Sequence, residues 1–252
     1  MITADPDIGP TMVRLAWHSS GTYDKMSKTG GSGGGTIRFK EELAHGGDRA
    51  TYPRYSSPLH LTLLAPPSEA HCSISYADLY TLAGATAIEA AGGPTVTVPD
   101  ADKGSPAKTL SHLRMDIFYR MGFDDREIVA LSGAHALGRR RIPHALGRCH
   151  PDASGYSGPW TPTPTVLTNG YYALLLSLPW TLKEWDGPMQ FEDPSGKLMM
   201  LPSDIALIQD KKMRQYVQMY AKDKELFFKE FAAAFQKLEE LGTKNLKTVA
   251  LA

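Results

Sequence analysis

Apolar positions recur at intervals of three and four along most of this chain, the spacing of amphipathic helices. Pro10 to Ser19 places Met12, Val13, Leu15 and Ala16 on apolar faces, with Pro10 suited to a first helical turn. Thr36 to His45 reads as a second helix of mixed charge. Ser75 to Ala91 is almost wholly apolar or small, with Ser75 as N-cap and Asp78 in the first turn, which predicts a helix buried on most faces. Gly92 and Gly93 stop it. Lys108 to Met121 predicts an amphipathic helix, and Asp124 or Asp125 caps the next, which continues without a break through His135. Asn169 to Leu178 is helical, Leu182 to Leu201 reads as small strands and turns with Pro194 to Gly196 at a hairpin tip, and Asp204 opens a short helix after Pro202. Lys211 to Leu241 predicts two amphipathic helices rich in aromatic residues. The pattern is mainly α, without βαβ alternation.

Two stretches break the periodicity. Gly21 to Gly35 holds six glycines but has neither a preceding strand nor the spacing of a phosphate-binding loop, so it predicts a turn. Gly46 to Ser73 carries Pro53, Pro58, Pro66 and Pro67 and reads as irregular, with one short helix at Leu59 to Leu64.

Composition narrows the picture. With 252 residues, 42% of them hydrophobic, the chain is long enough for a large core. Basic and acidic residues balance at 27 each, so no overall field draws it to nucleic acid or to a membrane surface. It contains no run of 18 apolar residues, and Met1 to Pro10 lacks the features of a secretory leader. Two cysteines, Cys72 and Cys149, are too few for a disulfide framework, which points to a reducing compartment.

Candidate chemistry lies in two places. Arg14, Trp17 and His18 stand at i, i+3 and i+4, so one helix side presents all three. The pentapeptide HALGR occurs twice, at His135 to Arg139 and at His144 to Arg148, and His150 follows. A metal site built from His135, His144 and His150 alone gains little support, because no carboxylate or CxxC pair lies at short spacing.

Four ordered motifs then carry a resemblance: RLAWH from Arg14, ALSGAHALGR from Ala130, SGYSGPW from Ser154 and MMLPSD from Met199. Together they resemble the haem peroxidases of the non-secreted class, which includes ascorbate peroxidase and cytochrome c peroxidase. The resemblance implies a two-lobed helical fold with minor β-hairpins, residues 1–122 forming the distal lobe and 123–252 the proximal lobe. It implies haem b as cofactor and hydrogen peroxide as substrate, reduced through a ferryl intermediate and a Trp160 radical. His18 would be the distal base and Arg14 the cation beside the developing charge, with Trp17 packed over the haem plane. Asp204 would hold the proximal histidine through its second ring nitrogen, Trp160 would stack beside that histidine, and His150 is a candidate propionate contact.

Departures from the family pattern refine these expectations. Ala153 and Pro6 replace the basic residues of an ascorbate site, whereas Thr168 before Asn169, and Met199 with Met200, follow cytochrome c peroxidases. The implied donors are thus cytochrome c or a small organic molecule, ahead of ascorbate. Asp48 stands where the family has the asparagine that orients the distal histidine, and a connecting segment between Pro94 and Val98 is much shortened. The HALGR echo leaves two candidates for the iron ligand. His144 follows Pro143, which cannot lie within a helix, so helix physics favours His135. These departures also motivate a second reading, a non-catalytic homologue that binds haem weakly or not at all. The family resemblance implies an intracellular location, with the mitochondrion among the compartments.

Overall fold

The computed structural model describes residues 8–39, 76–93, 106–138 and 156–243, and within them the protein is mainly helical. Helix α1 (Ile8–Ser20) packs along α2 (Tyr76–Ala90). Helix α3 (Pro106–His112) runs on through a π-helical stretch (Leu113–Phe118) and a last α turn (Tyr119–Met121). Helix α4 (Asp125–Ser132) tightens into a 3-10 turn (Gly133–Ala136). After α5 (Gly170–Ser177) come three two-residue strands, β1 (Thr181–Leu182), β2 (Phe191–Glu192) and β3 (Met199–Met200), in one antiparallel sheet ordered β1-β2-β3. Helices α6 (Pro202–Gln209), α7 (Lys211–Lys222) and α8 (Lys224–Glu240) complete the described chain.

Asp124 is the cap of α4: its carboxylate accepts the Glu127 N–H, and Glu127 accepts the Asp124 N–H in return. Asp125, left free for another task, is buried and joins α3 to α7. It accepts from Arg114 Nε at 2.7 Å and from the Tyr119 hydroxyl at 2.7 Å, and pairs with Lys212 at 2.9 Å. Arg114 and Tyr119 are five residues apart. In an α-helix that spacing turns two side chains apart, whereas the π-helical i→i+5 register aligns them on one acceptor. Period counting at 3.6 could not anticipate this stretch.

Other differences have equally local causes. The helix expected over Thr36 to His45 is only a 3-10 turn at Thr36–Arg38, because Phe39 is extended (φ −82°, ψ 147°); the remainder of that expectation falls outside the described residues. Helix α2 packs on α1, and among its described side chains only the stripe of Leu82, Thr86 and Ala90 is exposed, so burial extends over most of its faces. Its expected cap, Ser75, is outside the described residues, as is the short helix at 59–64. Helix α6 begins at Pro202 rather than Asp204, since proline fits the first turn, and Asp204 occupies its third position.

The glycine-rich loop has a packing role. A Cβ on Gly31, whose φ is +88°, would lie 2.2 Å from the Leu241 carbonyl oxygen, so only glycine lets the loop seat on the end of α8. Ser32 Oγ donates to the Glu239 carbonyl at 2.7 Å beside it.

One buried cluster runs from Met12 and Trp17 to Phe231 and Phe235, joining residues of both halves of the chain. Its centre is aromatic, with Tyr171, Tyr172, Tyr220, Phe227, Phe231 and Phe235 fully buried. No helix among the described residues is long and apolar enough to cross a membrane.

Candidate active site

His135 lies in the 3-10 turn that ends α4, rather than in an unbroken α-helix as the periodicity predicts. The turn is pressed against α5 and α8. A Cβ on Gly133 would lie 2.5 Å from the Tyr172 hydroxyl and from Phe227, so the close approach requires glycine. The Tyr172 hydroxyl also donates to the carbonyls of Val129 and Ala130 at 2.7 and 3.0 Å, which docks α5 on α4.

Trp160 is brought to His135 by its neighbours. Thr161 Oγ1 donates to the Ala136 carbonyl at 3.0 Å, and Gly138 N–H to the Pro164 carbonyl at 2.7 Å. Behind it, β3 holds the loop through the Met199 N–H to the Pro159 carbonyl at 2.9 Å, while the Gln190 amide bridges both backbone groups of Ser157. The Trp160 and His135 rings stack at 4.6 Å with 17° between planes. Met199 belongs to a small buried cluster with Tyr156 and Leu201 against which Trp160 packs; Met200 is in the main core.

Asp204, 1% exposed, ties the group together. Its Oδ1 meets His135 Nδ1 at 2.7 Å and accepts from the Tyr171 hydroxyl at 2.6 Å; its Oδ2 accepts from Trp160 Nε1 at 2.9 Å and from the Leu201 N–H at 2.7 Å. Burial pushes this carboxyl up, but the His135 ring and the Tyr171 and Leu201 donors together outweigh that and hold it below the ordinary carboxylate range. An ionised carboxylate only accepts, so His135 Nδ1 must donate, and in the neutral ring Nε2 carries the lone pair.

On α1, Arg14 Nε donates to His18 Nε2 at 3.3 Å across one helical turn. Trp17 turns inward, 6% exposed, with its ring 6.0 Å from that of Phe118 and against Gly21. The end of the helix is clamped by Arg120, whose guanidinium donates to the carbonyls of Gly21, Thr22 and Tyr23. At the other end, the Pro10 side chain lies 3.9 Å from the Cβ position of Gly138, three residues beyond His135. Hence His135, Trp160 and Asp204 form one group, Arg14 and His18 form another, and the first turn of α1 meets the segment that carries the first group.

Residues 1–223 match the sequence model of the family described as Peroxidase. The chain belongs to the peroxidase family. It is 48% identical to "Cytochrome c peroxidase, mitochondrial" of Aspergillus fumigatus, a match covering 94% of this chain and 64% of the relative. The namesake from Neurospora crassa is also 48% identical, covering 94% and 66%, and that from Pyricularia oryzae 46%, covering 94% and 65%. The chain thus spans just under two thirds of the length of these relatives, and it falls in the non-secreted class of the family.

The donor set at His135 fits an iron porphyrin. A neutral imidazole with its Nδ1 proton fixed on a buried carboxylate presents Nε2 as a strong ligand, and the His135 side chain is 21% exposed rather than sealed in the core. His144, His150, Asp48 and Ala153 lie outside the described residues, so their expected parts are untouched by these contacts. Asn169 acts in the fold, its amide donating to the carbonyls of Tyr220 and Ala221 at the end of α7.

Sequence reasoning missed Tyr171 and Arg120. The signal for Tyr171 was present: a tyrosine in the nearly apolar helix GYYALLLS needs an acceptor for its hydroxyl once buried. Arg120 gave none, because its three acceptors are backbone groups about a hundred residues earlier.

Proposed function

We propose that this protein is a haem b-dependent peroxidase that reduces hydrogen peroxide to water with electrons from cytochrome c. The observation that carries the proposal is the carboxylate of Asp204 bonded to His135 through one oxygen and to Trp160 through the other. In this reading residues 1–122 furnish the distal side and residues 123–252 the proximal side.

His135 would hold the haem iron through Nε2, and Asp204 keeps its ring electron-rich and correctly turned. Haem b, when bound, supplies the redox-active iron at which the O–O bond of peroxide is reduced. Once the long contact from Arg14 Nε gives way to peroxide, His18 accepts a proton from one peroxide oxygen at Nε2 and returns it to the other, so that the departing group leaves as water. Arg14, one helical turn from the same ring, offsets negative charge as that oxygen departs. The stoichiometry is one peroxide, two electrons and two protons to two waters. Trp160 passes the electrons inward one at a time, and the Asp204 anion at its indole N–H stabilises the positive charge it carries meanwhile. The Met199 thioether, in the cluster beside Trp160, adds a soft polarisable neighbour.

Cytochrome c is preferred to ascorbate because three relatives at 46% identity or above are named for it, and because Ala153 and Pro6 do not supply the basic side chains of an ascorbate site. The same relatives are named mitochondrial, and we place this protein there too. The test is reconstitution with haem b followed by rapid mixing with hydrogen peroxide and ferrocytochrome c. A Soret band that shifts on peroxide addition, with oxidation of two ferrocytochrome c per peroxide, is expected. A Soret band that does not respond to peroxide would sink the proposal in favour of a haem-binding, non-catalytic homologue.

A further inference from the structure

We propose that Tyr171 is a positioning residue that sets how strongly Asp204 pulls on the His135 Nδ1 proton, and through it how much electron density His135 offers at Nε2. The proposal deepens the peroxidase reading and rests on it for its consequence at the iron, although the hydrogen-bond relationship itself exists in the ligand-free chain.

The Tyr171 hydroxyl and His135 Nδ1 converge on the same oxygen, Oδ1 of Asp204, at 2.6 and 2.7 Å. The other oxygen is also doubly engaged, by Trp160 and by Leu201 N–H. A carboxylate offers about four lone-pair directions, so Asp204 has reached its capacity. Under that condition the donors compete: charge drawn toward the phenol is withdrawn from the bond to His135. A phenol at 2.6 Å from an anion makes a short, charge-assisted bond, which makes the competition substantial. Tyr171 is fully buried, so no water can replace it as donor.

The arrangement is also held rigidly. The Tyr171 ring stands edge-on to His135 at 6.1 Å and 84°, and edge-on to Tyr172 at 5.0 Å and 67°. Tyr172 is anchored to the last carbonyls of α4. The helix that bears Tyr171 is therefore fastened to the helix that leads into His135, and the two donors on Oδ1 keep a fixed separation. Tyr171 thus tempers the imidazolate character of His135, and by the same charge withdrawal lessens the anionic support that Asp204 gives Trp160.

The test compares Tyr171→Phe, which removes one oxygen and little volume, with 3-fluorotyrosine placed at position 171, whose more acidic phenol is a stronger donor. In the ligand-free chain, the His135 Nδ1 proton resonance is expected downfield in Tyr171→Phe and upfield with 3-fluorotyrosine. In the haem-loaded chain, Tyr171→Phe should shift the ferric–ferrous equilibrium toward the ferric form by roughly three- to tenfold, the scale of one ordinary hydrogen bond felt at one remove from the iron, and fluorotyrosine the opposite way. Variants that fold and leave the proton resonance unmoved, or that both move it in the same direction, would overturn the proposal and leave Tyr171 a packing residue. If the chain binds no haem, the peroxidase reading fails, while the proton resonance still decides whether Tyr171 governs the Asp204–His135 bond.

Discussion

Asp204 stands between His135 and Trp160, one carboxylate oxygen on each, at 2.7 and 2.9 Å. One anion therefore does two things: it orients the imidazole, and it lowers the cost of a positive charge on the indole. Asp204→Asn keeps the size but removes the charge, and an amide can accept from only one of the two. Cytochrome c oxidation by the haem-loaded variant is expected to fall by about 10- to 100-fold, as for other partners of metal-bound histidines. Steady-state rates with ferrocytochrome c measure it, and unchanged rates would remove Asp204 from the site.

Only His135, of the two HALGR histidines, lies among the described residues, and its Nδ1 is held by Asp204. His135→Ala should abolish the Soret band on reconstitution, whereas His144→Ala should retain it. The reverse result would move the ligand to the second pentapeptide.

Asp125 sets an acid limit on stability. Burial pushes its carboxyl up, but Arg114, Lys212 and Tyr119 outweigh that and bring it down to about 2, below the ordinary 3.8. A group with a depressed folded value stabilises above its unfolded value and loses that contribution as pH falls through the folded one. We expect about 2 kcal/mol to disappear between roughly pH 4 and pH 2, and Asp125→Asn to flatten this limb. Urea unfolding at a series of pH values follows it.

Glu239 should act with the opposite sign. Burial, helped by the neighbouring Glu240 charge, pushes its carboxyl up to about 9, and its Oε1 is buried with no hydrogen-bond partner among the described residues. With a folded value raised above the unfolded 4.5, the fold is fully supported below about pH 4.5 and weakens progressively up to pH 9. Glu239→Gln removes that penalty, and a gain of about 1–3 kcal/mol at pH 7 is expected in the same unfolding assay. A loss at pH 7 would show that the carboxyl is paired in solution.

Much of the site was legible because its chemistry depends on short spacings. Arg14 and His18 one helical turn apart and the cap at Asp124 of the helix that leads toward His135 are local patterns that the fold preserved, and Asp204 stayed in the first turn of its helix although Pro202 opens it. What escaped is set by tertiary contact. The π-helical alignment of Arg114 with Tyr119 exists because Asp125 receives both, and the 3-10 tightening at His135 exists because Gly133 lies beneath Tyr172 and Phe227. Tyr171 finds its acceptor 33 residues away on another helix, so no window of sequence links the two. Thr36 to Phe39, the described part of an expected helix, shows the converse, a permissive local pattern overruled where Phe39 turns extended.

The seat of the glycine loop on α8 also bears on the order in which the molecule can be assembled. Gly31 lies against Leu241, and a Cβ on Gly242 would lie 2.4 Å from the Gly30 carbonyl oxygen, so the two backbones interlock. During synthesis the segment leaving the Arg14–His18 helix emerges early, but its resting place is made more than two hundred residues later. The segment that follows Arg14 and His18 is therefore seated only after the His135 side has been translated in full, so the group of His135, Trp160 and Asp204 can assemble before the end of α1 is locked in place.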